Sequence, residues 1–466
     1  MHSAKPYLAF ALLALLFLGC TKADLEPLSA EVEPDTLSSN KDIISFVFLD
    51  SSKNVIPDNS IAVTFANDSF FVVFPSGTRL THLTPTITIK GMSIDPASGV
   101  QQDFSLPVKY TVTAEDSSVH SYVVVAKVKA FAAVYFGAYT GRFYALDPDN
   151  GSLIWEYVHQ GGNFVYSDPL VVDNTLFAGS TDGYMCSFDP VTGAVRWKFY
   201  TGGEGIESPA ALKNGILYFG SSNDKFYAVD EATGELKWIF QTYFNVSTRA
   251  IFYDNNVIFG SDDGNVYALD AVSGEFRWNY SMGGMCNQSS PVLHNGVLFI
   301  GSRDKYLHAI NANDGSPKWM FTDSVCSMEM STPFVSDGKV FIGSWYSVDN
   351  FNQPGSLYAV DEETGDLVWK SMNELGVGAS PVVGEDVLFI SPDDGDFYAL
   401  DPLTGAFIWS RQIYPNGAGA AVSEGTVFVG GGGSHYFYAF DVRSGLTKWK
   451  FSLPNGAMTS MPVVVR

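Results

Sequence analysis

From residue 42 onward the chain is written in short apolar bursts separated by Gly, Asp, Asn and Pro. Over 42–130 the bursts alternate apolar and polar positions, as in IISFVFL, SIAVTFA, SFFVVFP, TPTITIK, PVKYTVTA and HSYVVVAKVK. Alternation with period two predicts strands of a half-buried sheet, with turns at the small polar residues. So many short strands in under ninety residues predict a β-sandwich.

Over 131–466 the pattern repeats. Each copy holds four strand-like stretches, of the kind SPVVGED, VLFISP, FYALD and FIW, joined by short connections rich in Gly and Asp. Trp155, Trp197, Trp238, Trp278, Trp319, Trp369, Trp409 and Trp449 mark the copies at intervals of 40 to 42 residues, with one interval of 50. The long interval contains an insertion, SWYSVDNFNQPG, which carries the ninth Trp, Trp345. Every copy has Gly four residues before its Trp, and seven of the eight have Asp eight residues before it; the fifth has Asn311. Four strands every 40 or so residues is the period of a propeller blade, so the predicted class is all-β, with an eight-bladed β-propeller. The repeats begin at AVYFGAY, which reads as a second strand, and finish at SMPVVVR, which reads as a first strand. The last segment is therefore expected to complete the first blade and close the ring.

The phrase YALDPLTGAFIW shows what the repeated residues do. Asp401 suits a turn because its carboxylate accepts from backbone N–H groups just ahead of it, and Gly405 takes positive φ without steric cost. Ala399 is small, and Trp409 offers a wide ring with one N–H to satisfy. All eight repeat Trp residues are thus expected to dock each blade on the next.

Composition narrows the function. A formal net charge of −23 repels phosphate backbones and anionic headgroups, which argues against nucleic-acid binding. The start, MHSAK followed by YLAFALLALLFL, is a basic residue and an apolar run too short to span a bilayer. Ending at Gly19 and Cys20, residues 1–20 resemble a bacterial lipoprotein signal, although Phe17 stands where Leu is usual. That resemblance implies an acylated Cys20, membrane attachment through the lipid anchor alone, and a flexible polar linker over 21–41. Cys186, Cys286 and Cys326 remain. Cys286 and Cys326 occupy similar positions in successive blades, so either a disulfide staple or two free thiols is open; Cys186 replaces a repeat Tyr and reads as packed.

The 42–130 module resembles the immunoglobulin-like domains that follow the signal in many surface lipoproteins of Gram-negative bacteria. The recurring AxDxxTGxxxW resembles the pyrroloquinoline quinone (PQQ) propeller repeat, over about Ala133 to Arg466. The resemblance implies one of two functions. PQQ-dependent dehydrogenases of alcohols or sugars lay the quinone on a Trp floor with calcium held by Glu, Asn and Asp, often under a vicinal disulfide. BamB-like outer-membrane assembly lipoproteins use the same repeat and bind no quinone. This chain has no Cys-Cys pair, and eight of its nine Trp residues are taken by docking. The expectation is a non-enzymatic, monomeric scaffold without cofactor or metal in the outer membrane, facing the periplasm or the cell surface. Its expected partner is an envelope or surface protein, or a glycan.

Loops joining blades and loops joining second to third strands share one propeller face. The candidate binding residues lie there: Trp345 and Tyr346 in the insertion, Arg303 and Lys305 in a turn, Arg249 before the fourth blade, and Met285, Met328 and Met330. Glu207, Glu329 and Glu374 fall in the same segments, as do Met282, Met372, Met458 and Met461. A cluster of Met offers filler for a crowded channel, an adaptable apolar surface, or, with Cys, ligands for a soft ion.

Overall fold

The computed structural model describes residues 37–49, 56, 62–74, 78, 80–128, 131–172, 174–347, 353–372, 375–415, 419–454 and 460–466. The signal, Cys20, and the first part of the linker lie outside them, as do Glu374 and Met458. The chain divides into two compact units, Met1–Lys129 and Ala130–Arg466. No helix among the described residues is long and apolar enough to cross a membrane.

The first unit is a sandwich. One sheet pairs Asp42–Leu49 with Thr84–Lys90; the other has five strands in the order Ala62–Ala66, Ser69–Phe74, Val119–Val128, Val108–Thr113 and Ser93–Asp95. Alternate residues point inward, so Phe48 meets Phe74, Tyr110, Val124 and the loop residue Phe104 in one core. Phe48 and Phe74 pack edge to face at 4.9 Å. Ser69–Phe74 runs parallel to Val119–Val128, a pairing that alternation alone does not reveal.

The second unit is built from eight four-stranded antiparallel sheets among the described residues, and it is a propeller. Seven sheets use four consecutive strands. The first borrows its innermost strand from the chain's end: Val463–Val465 pairs with Ala133–Gly137, which pairs in turn with Arg142–Leu146 and Leu153–Val158. The expected closure is therefore present. Second strands such as Val297–Gly301 are buried throughout because sheets cover both faces, whereas fourth strands such as Phe276–Ser281 alternate with solvent.

Each repeat Trp bridges to the next sheet. Trp155 Nε1 donates to Pro190 O (2.9 Å), Trp197 to Glu231 O (2.8 Å), Trp238 to Ala271 O (3.2 Å) and Trp319 to Glu362 O (3.1 Å). Trp369 donates to Pro402 O (3.2 Å), Trp409 to Val442 O (3.0 Å), and Trp449 to Pro148 O (3.0 Å), which joins the eighth sheet to the first. The repeat Gly lies under the preceding sheet's ring: a Cβ on Gly405 would stand 2.8 Å from Trp369, and Gly405 has φ of 70°. Asp401 Oδ1 accepts from Leu403 N (2.7 Å) and Thr404 N (3.0 Å), fixing the carbonyl-bearing turn that receives the indole. One site departs. Trp278 Nε1 is buried with no hydrogen-bond partner, and it docks on the only repeat with Asn in place of Asp. There Asn311 Nδ2 donates instead to Ser316 Oγ (2.8 Å).

Candidate functional site

A ring of hydroxyls sets where the loop face begins. Ser or Thr precedes the first strand of several sheets, and its oxygen bridges two of them. Ser167 Oγ donates to Ser208 O (3.0 Å) and accepts from Gly179 N (3.1 Å). Ser289 Oγ donates to Ser331 O and accepts from Gly301 N, both at 2.8 Å. Ser331 Oγ continues to Ala379 O (3.1 Å). Sequence reasoning passed over this belt, although its signal is visible as Ser or Thr ahead of Pro in SDP, ESP, SSP, STP, ASP and SMP. Pro suits this place because the segment donates through its hydroxyl rather than the imide position.

Inside the belt an ion pair crosses from one inner segment to another. Arg249 Nη2 lies 3.3 Å from Asp168 Oδ2, and Asp168 Oδ1 accepts from Met461 N (3.0 Å). Arg249 precedes the fourth sheet and Asp168 the second, so the guanidinium reaches past the third. Its charge is matched within the protein. Burial raises the Asp168 carboxyl above its ordinary range, against the pull of Arg249.

The insertion is pinned. Trp345 Nε1 donates to Asp393 Oδ2 (2.7 Å), and its ring covers Gly378. Tyr346 stands at 78° to it, with centroids 5.4 Å apart, over Gly376. Cys326 bridges to Ser347 and Tyr346 to Pro354, so the visible ends of the insertion form a short extension of the sixth sheet. Residues 348–352 lie outside the described part. Both rings remain half-buried at this face.

The other expected residues separate. Arg303 Nη1 lies 3.5 Å from Met285 Sδ and its Nε lies 3.8 Å from Glu329 Oε2. Lys305 occupies the same turn at φ of 79°, and its carbonyl accepts from Thr322 Oγ1 (2.8 Å). Met330 Sδ accepts from Asn287 Nδ2 (3.3 Å). Met328 is a correction: it is fully buried in the core between the fifth and sixth sheets, so it presents nothing to a partner. Met282 is core as well. The irregular path of the joining segments, invisible to a count of Met residues, separates these two from the half-buried Met285 and Met330.

The Cys286–Cys326 staple is the second correction: all three described thiols are free and buried. Cys286 Sγ fills the space that a Cβ at Gly260 would take, and Cys326 Sγ points to Gln353 O (3.5 Å). Cys186 packs between the first two sheets. Burial pushes Cys326 up to about 11 and Cys186 to about 12, so the thiols stay protonated at neutral pH. A thiol-specific reagent is expected to leave the native protein unlabelled at all three and to label three on denaturation. Only one released thiol would mean that the staple forms. Among the described residues, no three His, Cys, Asp or Glu side chains come together as a metal site.

Carboxylates gather near the third to sixth sheets. Burial raises Glu207, lifts Asp262 to about 6 and lifts Glu329 to about 7. Aromatic rings stand exposed on the same face: Tyr139, Tyr166, Tyr243, Phe244 and Tyr414, with Tyr243 the most exposed at 83%.

Comparison with known proteins places these features. Residues 139–291 and 353–465 match the PQQ-repeat family model described as outer membrane protein assembly factor BamB. Residues 43–126 match the family of N-terminal domains of surface glycan-binding proteins (SGBP). BamB of Moranella endobia is 27% identical over 175 residues, covering 34% of this chain and 42% of that protein. A quinohemoprotein alcohol dehydrogenase of Comamonas testosteroni is 26% identical over 178 residues, covering 33% of this chain and 24% of the enzyme. The crystal structure of BamB from Moraxella catarrhalis superposes with a TM-score of 0.53 at 17% identity, over 69% of this chain and 91% of that one. The chain thus matches less than half the length of these two sequence relatives, and the structural likeness speaks for the fold. With the family model matching more than half of its residues, the chain belongs to the BamB-type family of PQQ-repeat propellers.

Proposed function

We propose that this protein is a non-enzymatic, lipid-anchored envelope scaffold whose propeller face binds glycan. The observation that carries the reading is the N-terminal match: a BamB-type propeller joined to the N-terminal domain of surface glycan-binding proteins. An assembly factor has no evident use for such a module, whereas a glycan-binding protein would use it as a spacer. The exposed rings of the loop face support the same reading, since flat aromatic surfaces stack on the C–H faces of sugars. The Trp residues speak against a quinone floor. Seven docking Trp residues are hydrogen-bonded to the next sheet, Trp278 is enclosed in its own interface, and Trp345 is held by Asp393.

Affinity electrophoresis through gels containing neutral polysaccharides tests this. The full-length protein in detergent is expected to be retarded by at least one of xyloglucan, laminarin, galactan and mannan. Tyr139→Ala with Tyr166→Ala is expected to weaken retardation about tenfold, the scale of two lost ring contacts. Absence of retardation, with recovery of barrel-assembly proteins from an envelope extract, would favour the assembly role. Dye-linked alcohol oxidation after adding PQQ and calcium would overturn the scaffold reading outright.

A further inference from the structure

The third and fourth sheets part at their outer edges to leave a cavity of about 430 Å³. This lies within the size range of small-molecule sites, roughly 300–1,000 Å³. Phe240 and Tyr267 form its floor, with centroids 5.4 Å apart. Tyr243 and Phe276 form walls and are 83% and 52% exposed. Amides supply the polar part: Asn279 Nδ2 donates to Asn265 Oδ1 (3.2 Å), and Asn265 Nδ2 donates to Asp263 Oδ1 (3.1 Å). None of the lining residues carries a charge, in a chain of formal net charge −23.

Two further details make this a built groove. Asp263 Oδ2 accepts from Tyr267 Oη (2.8 Å) and from Tyr243 N (3.1 Å), so one carboxylate sets both the floor and the segment that carries the exposed wall. A ring held in place beforehand loses less freedom on binding. The position after the docking Trp is also unlike that of other sheets. It is Asn279 here, but Lys198, Lys370 and Lys450 in three sheets and Glu156 in another. Ile239, Met320 and Ser410 take the place in the remaining three; a long charged side chain thus projects there in four sheets, whereas in the fourth sheet a short amide lines the opening.

We propose that this groove is a subsite for one neutral pyranose residue of a glycan chain. Apolar walls match the C–H faces of a sugar ring. Carboxamides match its hydroxyls, because both groups donate and accept. The lack of cationic groups in the lining, with the Asp263 carboxylate behind it, disfavours uronates and phosphates, which would be desolvated without a counter-charge. The proposal rests on the glycan reading and names a place for it beside the loop face.

The test uses the polysaccharide that retards the wild type most. Tyr243→Ala and Asn279→Lys are compared with the wild type and with the Tyr139→Ala, Tyr166→Ala double variant. Tyr243 and Asn279 are exposed, and the fold already carries Lys at the position of Asn279 in three sheets, so unfolding is not the expected result. Each groove variant is expected to lower affinity about tenfold with an unchanged unfolding midpoint. Wild-type affinity in both groove variants would overturn the subsite while leaving glycan binding intact. Failure of the wild type to bind any polysaccharide would overturn both.

Discussion

Trp449→Ala is expected to cost about 3–5 kcal/mol of propeller stability, the range for deleting a buried Trp side chain. The residue is 9% exposed and packs with Phe428 and Phe437 in the core that joins the eighth sheet to the first. It also donates to Pro148 O, so its loss opens the ring where the two ends of the repeat array meet. Gly151 lies under the same indole, where an added Cβ would stand 2.5 Å from the ring; this is why the closing turn has no side chain there. Phe substitution separates packing from hydrogen bonding. Trp449→Phe keeps most of the apolar surface but leaves the Pro148 carbonyl without its donor, costing about 1–2 kcal/mol. Trp278→Phe is expected to be close to neutral, because it removes an N–H that is already buried without a partner. Urea midpoints of the three variants check this order. A Trp278→Phe cost equal to that of Trp449→Phe would show that the indole N–H bonds contribute nothing distinctive.

That contrast marks what was legible in the sequence. The Asp, Gly and Trp of each repeat sit at fixed spacings because each belongs to one local turn and strand, and the unusual docking at Trp278 is foreshadowed by Asn311. Closure was legible for the same reason: AVYFGAY lacks a first strand and SMPVVVR supplies one. Contacts made at long sequence separation were not. Asp168 finds Arg249 from 81 residues away, and nothing in SDP or STRA announces it. Met328 and Met330 are two residues apart, yet one is core and the other half-buried, which depends on the path of an irregular segment. The groove of Tyr243, Asn265 and Asn279 forms only when two sheets meet. Its one local sign is an Asn after a docking Trp where four other repeats carry Lys or Glu.

At pH 8, Glu329→Gln is expected to make the protein more stable, and at pH 5 to change little. Glu329 lies between the fifth and sixth sheets with 7% of its side chain exposed. Its Oε2 has no hydrogen-bond partner among the described residues. Arg303 is the nearest cation, at 3.8 Å, while Asp262 adds like charge, and the protonated thiol of Cys286 brings none. Burial dominates and lifts the carboxyl from 4.5 to about 7. A folded value above the unfolded one means that the folded protein holds this proton more tightly. The stability linked to it is therefore complete below pH 4.5 and is lost as pH rises through about 7. The loss is on the order of 3 kcal/mol once the carboxylate is fully ionised. Gln keeps the shape and removes the ionisation, so the variant's urea midpoint should vary less with pH, with a residual slope of the same sign from Asp262, whose own value is about 6. A wild type more stable than Glu329→Gln at pH 8 would mean that Arg303 closes on an ionised Glu329 and that the pair, not the neutral acid, belongs to the native state. The outcome bears on binding as well, since a protonated Glu329 leaves this side of the loop face less acidic than a count of its carboxylates indicates. An uncharged sugar meets a smaller desolvation cost on such a surface than on one with the full complement of ionised groups.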